Sequence, residues 1–85
     1  MKNLCGKIRE VDNPYEVWAV GNASNIWEWR VLKKYQAPDK EADNPNAIWF
    51  CAVKSPFTFG RWEYGDTYVN EIRNAGAVKI GGLND

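Results

Sequence analysis

Ile26-Trp27-Glu28-Trp29-Arg30-Val31-Leu32-Lys33-Lys34-Tyr35-Gln36 is the stretch on which the fold of this 85-residue chain turns. Trp27, Trp29, Val31 and Tyr35 fall on one side of it. Glu28, Arg30, Lys34 and Gln36 fall on the other, and Leu32 is out of phase. Successive side chains of a strand point to opposite faces of its sheet, so a period of two reads as a strand with one face buried. Residues 15–20 before it are β-prone with a weaker alternation. Between the two runs lies Gly21-Asn22-Ala23-Ser24-Asn25, rich in residues that tolerate turn geometry. The two runs therefore predict a hairpin with a five-residue link. Asn22-Ala23-Ser24 also matches a glycosylation sequon, which matters only in a secreted protein, and it reads as part of the turn.

Outward from this hairpin the pattern changes. Residues 1–13 are polar and read as an arm or a short edge strand. Residues 37–46 hold Pro38 and Pro45 without apolar periodicity and read as a loop. Residues 47–53 are unbroken apolar (Ala47, Ile48, Trp49, Phe50, Cys51, Ala52, Val53), the mark of a strand buried on both faces. A chain this short covers one sheet face with its own helix, so the second face predicts another subunit, and with it a homo-oligomer. Residues 57–65 interleave Phe57, Phe59, Trp62 and Tyr64 with Gly60 and Gly65 and read as a hairpin. Residues 66–74 read as a helix capped by Asp66, with Tyr68, Val69 and Ile72 on one stripe and Gly76 ending it. Residues 77–80 form a last short strand, and 81–85 a loose tail. The expected fold class is α+β: a small antiparallel sheet of three to five strands with one helix near the C-terminus, in one domain spanning 1–85.

Composition narrows the function. The chain has no histidine, which removes the commonest general base and the commonest zinc ligand. Its two serines, Ser24 and Ser55, have nothing to activate them. Asp39, Glu41 and Asp43 alternate, but Lys40 interrupts them and the glycine of a calcium loop is missing. Gly6-Lys7 is followed by Ile8, so it is no phosphate loop. The expectation is a non-enzymatic protein with no metal and no cofactor. Cys5 and Cys51 read as two reduced thiols, since a secreted disulfide scaffold of this size carries more cysteines. No signal peptide is visible and no apolar run approaches the roughly 18 residues of a membrane span, so a cytoplasmic, membrane-free protein is expected.

Net charge is zero, which argues against a duplex-DNA binder. Five tryptophans exceed what so small a core needs, which points to aromatic side chains at an interface or ligand site. Two segments carry the candidates. In the first, Trp27 and Trp29 form a stacking face while Arg30 and Lys34 form a basic one. In the second, Arg61, Trp62 and Tyr64 form an aromatic and basic edge. Each also has an ordinary reading, core packing for the tryptophans and a solvated sheet face for the cations.

Residues 27–35 (Trp-Glu-Trp-Arg-Val-Leu-Lys-Lys-Tyr), 49–56 (Trp-Phe-Cys-Ala-Val-Lys-Ser-Pro) and 65–69 (Gly-Asp-Thr-Tyr-Val) resemble small uncharacterised accessory proteins of tailed bacteriophages. The resemblance covers about half the chain. It implies a viral protein in the host cytoplasm, of a kind that binds and disables host machinery. The leading expectation is therefore anti-defence ligand binding, with a small nucleotide signal sequestered between subunits by Trp27, Trp29, Arg30, Lys34, Arg61, Trp62 and Tyr64. The alternative is a protein–protein inhibitor of a host defence enzyme or nuclease. Single-stranded nucleic acid binding ranks third, because of the neutral net charge.

Overall fold

The alternating stretch is the middle of a sheet. The computed structural model describes residues 8–83, and in it β2 (Asn25–Lys34) pairs on both sides. β1 (Glu16–Asn22) runs antiparallel to it from Glu16 opposite Val31 to Asn22 opposite Asn25. Only Ala23 and Ser24 turn the chain, not five residues. The Asn22 carboxamide oxygen accepts from both the Ser24 amide and its hydroxyl at 3.3 Å. That local bond tightens the turn, and the flanking Gly21 and Asn25 are left free to join the ladder.

On the other side of β2 lie β3 (Ile48–Lys54) and then β4 (Glu63–Tyr68), while β5 (Val78–Gly81) pairs along β1. The sheet is wholly antiparallel, in the order β4-β3-β2-β1-β5. Two short helices complete it: α1 (Pro38–Glu41) between β2 and β3, and α2 (Val69–Asn74) directly after β4. The fold is α+β, with two corrections to the sequence reading. Among the described residues there are two helices rather than one, and α2 stands before the last strand β5 rather than at the C-terminus.

The helix also begins later than its pattern suggests. Gly65, Asp66, Thr67 and Tyr68 pair with Cys51, Phe50, Trp49 and Ile48, so they belong to β4. A ladder partner satisfies their backbone amides, which a first helical turn would leave open. Asp66 is thus no cap: its carboxylate accepts the Tyr35 hydroxyl at 2.7 Å, and Tyr68, with no side-chain cap bond, precedes the helix. Tyr68 is exposed, whereas Val69 and Ile72 are buried as their spacing predicts. Gly76, at φ +85°, turns the chain out of α2 in the left-handed conformation that glycine adopts freely. Phe57 and Phe59 stand in a turn, not on a strand.

One irregularity decides which residues share a face. Val31 lies opposite Cys51, but Lys33 lies opposite Phe50, so β2 carries one extra residue, Leu32, at a β-bulge. Beyond it the alternation changes phase. Glu28, Arg30 and Lys33 share one face, and Trp27, Trp29, Val31 and Lys34 share the other. The expected pairing of Arg30 with Lys34 is therefore wrong, and Tyr35 lies just past the strand.

The face with Lys34 is closed. Trp29, Val31, Trp49 and Cys51 pack there against Ala47, Val69, Ile72 and Ala77, with Trp18, Val20, Trp27 and Val53 around them. Trp18 and Trp49 meet at 5.9 Å between centroids. Lys34 is only 4% exposed, and its ammonium donates to Glu16 at 2.8 Å and Glu41 at 3.1 Å. The Trp18 and Trp49 indole N–H groups donate to the remaining oxygens of Glu16 and Glu41, at 2.9 and 2.8 Å. Each buried charge thus has its opposite and each carboxylate is doubly bonded, the condition for burying ions without a large penalty. The same bonds tie α1 to the core through Glu41.

The second face of β3 is covered in part by this chain itself. Ala52 is fully buried, and Ile48 and Phe50 are half-buried. The first described residues lie against the β2 bulge: the Arg9 amide donates to the Leu32 carbonyl, the Tyr15 amide to that of Val31, and the Arg9 guanidinium lies over the Tyr15 ring. Residues 8–13 form no strand. Residues 1–7, with Cys5, and 84–85 lie outside the described residues, so those ends of the expected arm and tail do too.

Candidate ligand-binding face

The open face of the sheet is the side of β2, β3 and β4 away from the core in which Val69 and Ile72 of α2 are buried. Arg30 pairs with Ala52, and Glu28 with Lys54, which places Arg30 and Lys54 on this face at adjacent strands. Trp62 enters β4 from the loop and lays its indole over both cations. The Arg30 guanidinium carbon is 4.6 Å and the Lys54 ammonium 4.9 Å from the Trp62 ring. Two cations on one ring hold it in place more firmly than either alone, through the negative charge of the aromatic face. Trp62 itself remains half-exposed.

Further along the same face the Phe50 and Tyr64 rings stack at 6.5 Å, Tyr64 being 56% exposed. Beyond them Lys33 lies 5.0 Å from the Tyr35 ring. Tyr35 donates to Asp66, and that bond, ahead of a little desolvation, raises its pKa above the ordinary phenol value. The charges on this face are unequally matched. Arg30 is tied to Glu28 at 2.8 Å, to the Val11 carbonyl at 2.9 Å and to Asp12 at 3.8 Å. Among the described residues, neither Lys33 nor Lys54 forms an ion pair with a carboxylate. Beside Arg30 opens a shallow cavity of about 270 Å³, walled by Asp12, Asn13, Pro14, Val17 and Leu83.

The seven candidate residues separate accordingly. Arg30, Trp62 and Tyr64 share the open face, and Arg61 is exposed on the loop next to it. Trp29 and Lys34 do not belong to any exposed site: Trp29 is core at 7% exposure and Lys34 is enclosed by its two carboxylates. Trp27 stacks on Trp29 at 5.9 Å at the margin of the closed face. Phe50 is not among the sequence candidates, and Lys33 and Lys54 enter the sequence reading only as cations grouped with Arg30 and Lys34. The signal for the placement of Lys33 is Leu32, since a residue out of phase inside an alternating run marks the bulge that moves Lys33 onto the Arg30 face.

Chemically the open face can stack and attract. Cys51 lies on the closed face, fully buried, with burial above all pushing its thiol up to about 12 against a hydrogen bond with Thr67. It stays protonated and inert near neutrality. Among the described residues no three His, Cys, Asp or Glu side chains cluster as metal ligands, and no helix is long and apolar enough to cross a membrane. No protein-family model matches the chain, and neither a curated protein nor a solved structure matches it. The resemblance to tailed-phage accessory proteins has no counterpart in those comparisons.

Proposed function

We propose that this chain is a non-catalytic binding protein that takes a planar, anionic ligand of the nucleotide class on the open face of its sheet. The observation that carries the reading is the Trp62 indole, held over Arg30 and Lys54 and half-exposed. Such a ring is a ready surface for a nucleobase, and stacking on it contributes about 1–3 kcal/mol. Lys54 and Lys33, which form no ion pair among the described residues, supply positive charge for a phosphate on the same face. The cavity next to Arg30 gives room for the rest of a small ligand.

Calorimetric titration with mononucleotides, cyclic nucleotides and ADP-ribose-type nucleotides tests this. Binding tighter than millimolar to at least one is expected, and Trp62→Ala should weaken it about 5- to 150-fold, which is the stacking contribution expressed as affinity. No member of the panel binding below millimolar would sink the proposal. Sequestration of a defence signal by a phage-borne protein is its narrower form, and requires that the cyclic or ADP-ribose-type members bind best. A pocket shared between subunits is a separable proposal: a light-scattering mass of one chain at micromolar concentration removes it and leaves the single-chain face intact.

A further inference from the structure

The loop from β3 to β4 stands at one end of this face. Val53 lies opposite Glu63, so residues 55–62 rise from the sheet end that carries Lys54 and Trp62. The loop is tightly bonded. The Thr58 hydroxyl donates to the Ser55 carbonyl at 3.0 Å and accepts the Ser55 amide at 3.1 Å, while the Ser55 hydroxyl accepts the Phe57 amide at 3.1 Å. The Thr58 amide donates to the Ser55 carbonyl, and the Arg61 amide to that of Thr58, both at 3.1 Å. Ser55 and Thr58 are buried, yet Phe57 is 75% and Phe59 90% exposed. Phe59 also sits at φ +54°, a left-handed conformation that bulky residues avoid.

Two large rings held out in water, one of them at a backbone cost, mark a binding surface. Its charge says for what. From Lys54 to Trp62 the chain reads Lys-Ser-Pro-Phe-Thr-Phe-Gly-Arg-Trp, with two cations, three large aromatics and no acid. A protein's apolar cleft would be satisfied by the phenylalanines alone. Aromatics interleaved with cations that form no ion pair among the described residues suit a polyanion whose units each present a flat π-face.

We propose that the Phe57 and Phe59 loop extends the Trp62 platform into a track for single-stranded nucleic acid. Bases stack on the exposed rings, and the intervening phosphates meet Lys54 and Arg61. The inference rests on the nucleotide reading of Trp62 and names its ligand class. Zero net charge over the whole chain does not oppose it, because a short strand meets the local field of the surface it lies on, and that falls off over about 10 Å at ordinary ionic strength. The Phe57 ring lies 5.9 Å from Trp27 at the margin of the closed face, so the track runs from Trp62 across the end of the sheet rather than along the open face.

The test titrates the full chain with dT and rU ligands of one, three, six and nine nucleotides, read by tryptophan quenching at low and moderate salt. Affinity is expected to rise at least 10-fold from one nucleotide to six and to fall with salt. The double variant Phe57→Ser/Phe59→Ser should lose about 10-fold or more of hexanucleotide affinity while keeping that of the mononucleotide. Arg61→Gln should flatten the salt dependence, as loss of one phosphate contact does. The dT and rU arms show whether DNA or RNA is preferred. Mononucleotide binding with no gain from length overturns the track and leaves the Trp62 site standing. So does hexanucleotide binding that the double variant does not alter, which would hand the loop to a protein partner instead. Absence of binding at every length overturns both readings.

Discussion

Lys33 and Lys34 are neighbours in sequence and opposites in setting. Lys34 is enclosed on the closed face between Glu16 and Glu41, with Trp49 under its ammonium at 4.6 Å. Lys33 lies on the open face over Tyr35, with no carboxylate paired to it among the described residues. The closed face spends its charges on itself, so nothing is left there for a ligand. On the open face, among the described residues, Lys33 and Lys54 have no paired carboxylate, and Trp62 and Tyr64 keep ring surface in solvent. A buried charge must find its partner inside the chain, whereas a cation at the surface is satisfied by water until something better binds.

The largest break in that contrast is Lys34→Met. It removes the cation from Glu41 and leaves Glu16 only the more distant Lys79 at 3.8 Å, which should destabilise the fold by about 3–5 kcal/mol. Chemical denaturation reads it, and a loss under about 1 kcal/mol would show that the cluster is not structural. Next is Gly82→Ala. Gly82 has φ +112°, and a Cβ there would overlap the Tyr15 carbonyl oxygen and the Glu16 backbone. The cost should be about 1–3 kcal/mol, with the cavity wall at Leu83 displaced.

Acid sharpens the comparison further. Desolvation pushes the Glu16 carboxyl up, but the hydrogen bond and charge of Lys34, the Trp18 indole and Lys79 outweigh it and hold its pKa below the ordinary carboxylate value. A carboxyl depressed in the folded state stabilises it fully above the unfolded-state pKa, and that stabilisation is lost as pH falls through the folded value. Urea midpoints should therefore decline below about pH 4.5, and less steeply in Glu16→Gln. An identical decline in wild type and variant would remove Glu16 as the cause. The smallest effect belongs to Lys33→Gln, which should change stability by less than about 0.5 kcal/mol. Its signature is a few-fold loss of nucleotide affinity, measured by the same calorimetry as for Trp62.

Much of the fold is legible in the chain. The period of two across Trp27, Trp29 and Val31 gives β2 and its buried face, and the apolar run at Trp49 and Cys51 gives β3. Val69, Ile72 and Gly76 give α2 and its end. Of the candidate site, Arg30, Trp62 and Tyr64 are brought together and Arg61 stands beside them, but Trp29 and Lys34 went to the core. The start of α2 was illegible because Asp66 is a strong helix cap and a poor strand former. Only the ladder with β3, which no local window contains, decides for the strand.

By itself, then, the sequence determined β1, β2, β3 and β5, the hairpin, the lack of any histidine-based chemistry and the surplus of aromatic and basic side chains. These depend on residue type and near spacing, which backbone geometry converts directly into local structure. Tertiary structure alone decided which of those side chains are free. The bulge at Leu32 sets the register of β2 on β3, and one residue of register exchanges the two faces beyond it. Lys34 thereby became a buried ion, and Lys33 joined Arg30, Lys54 and Trp62 in the open.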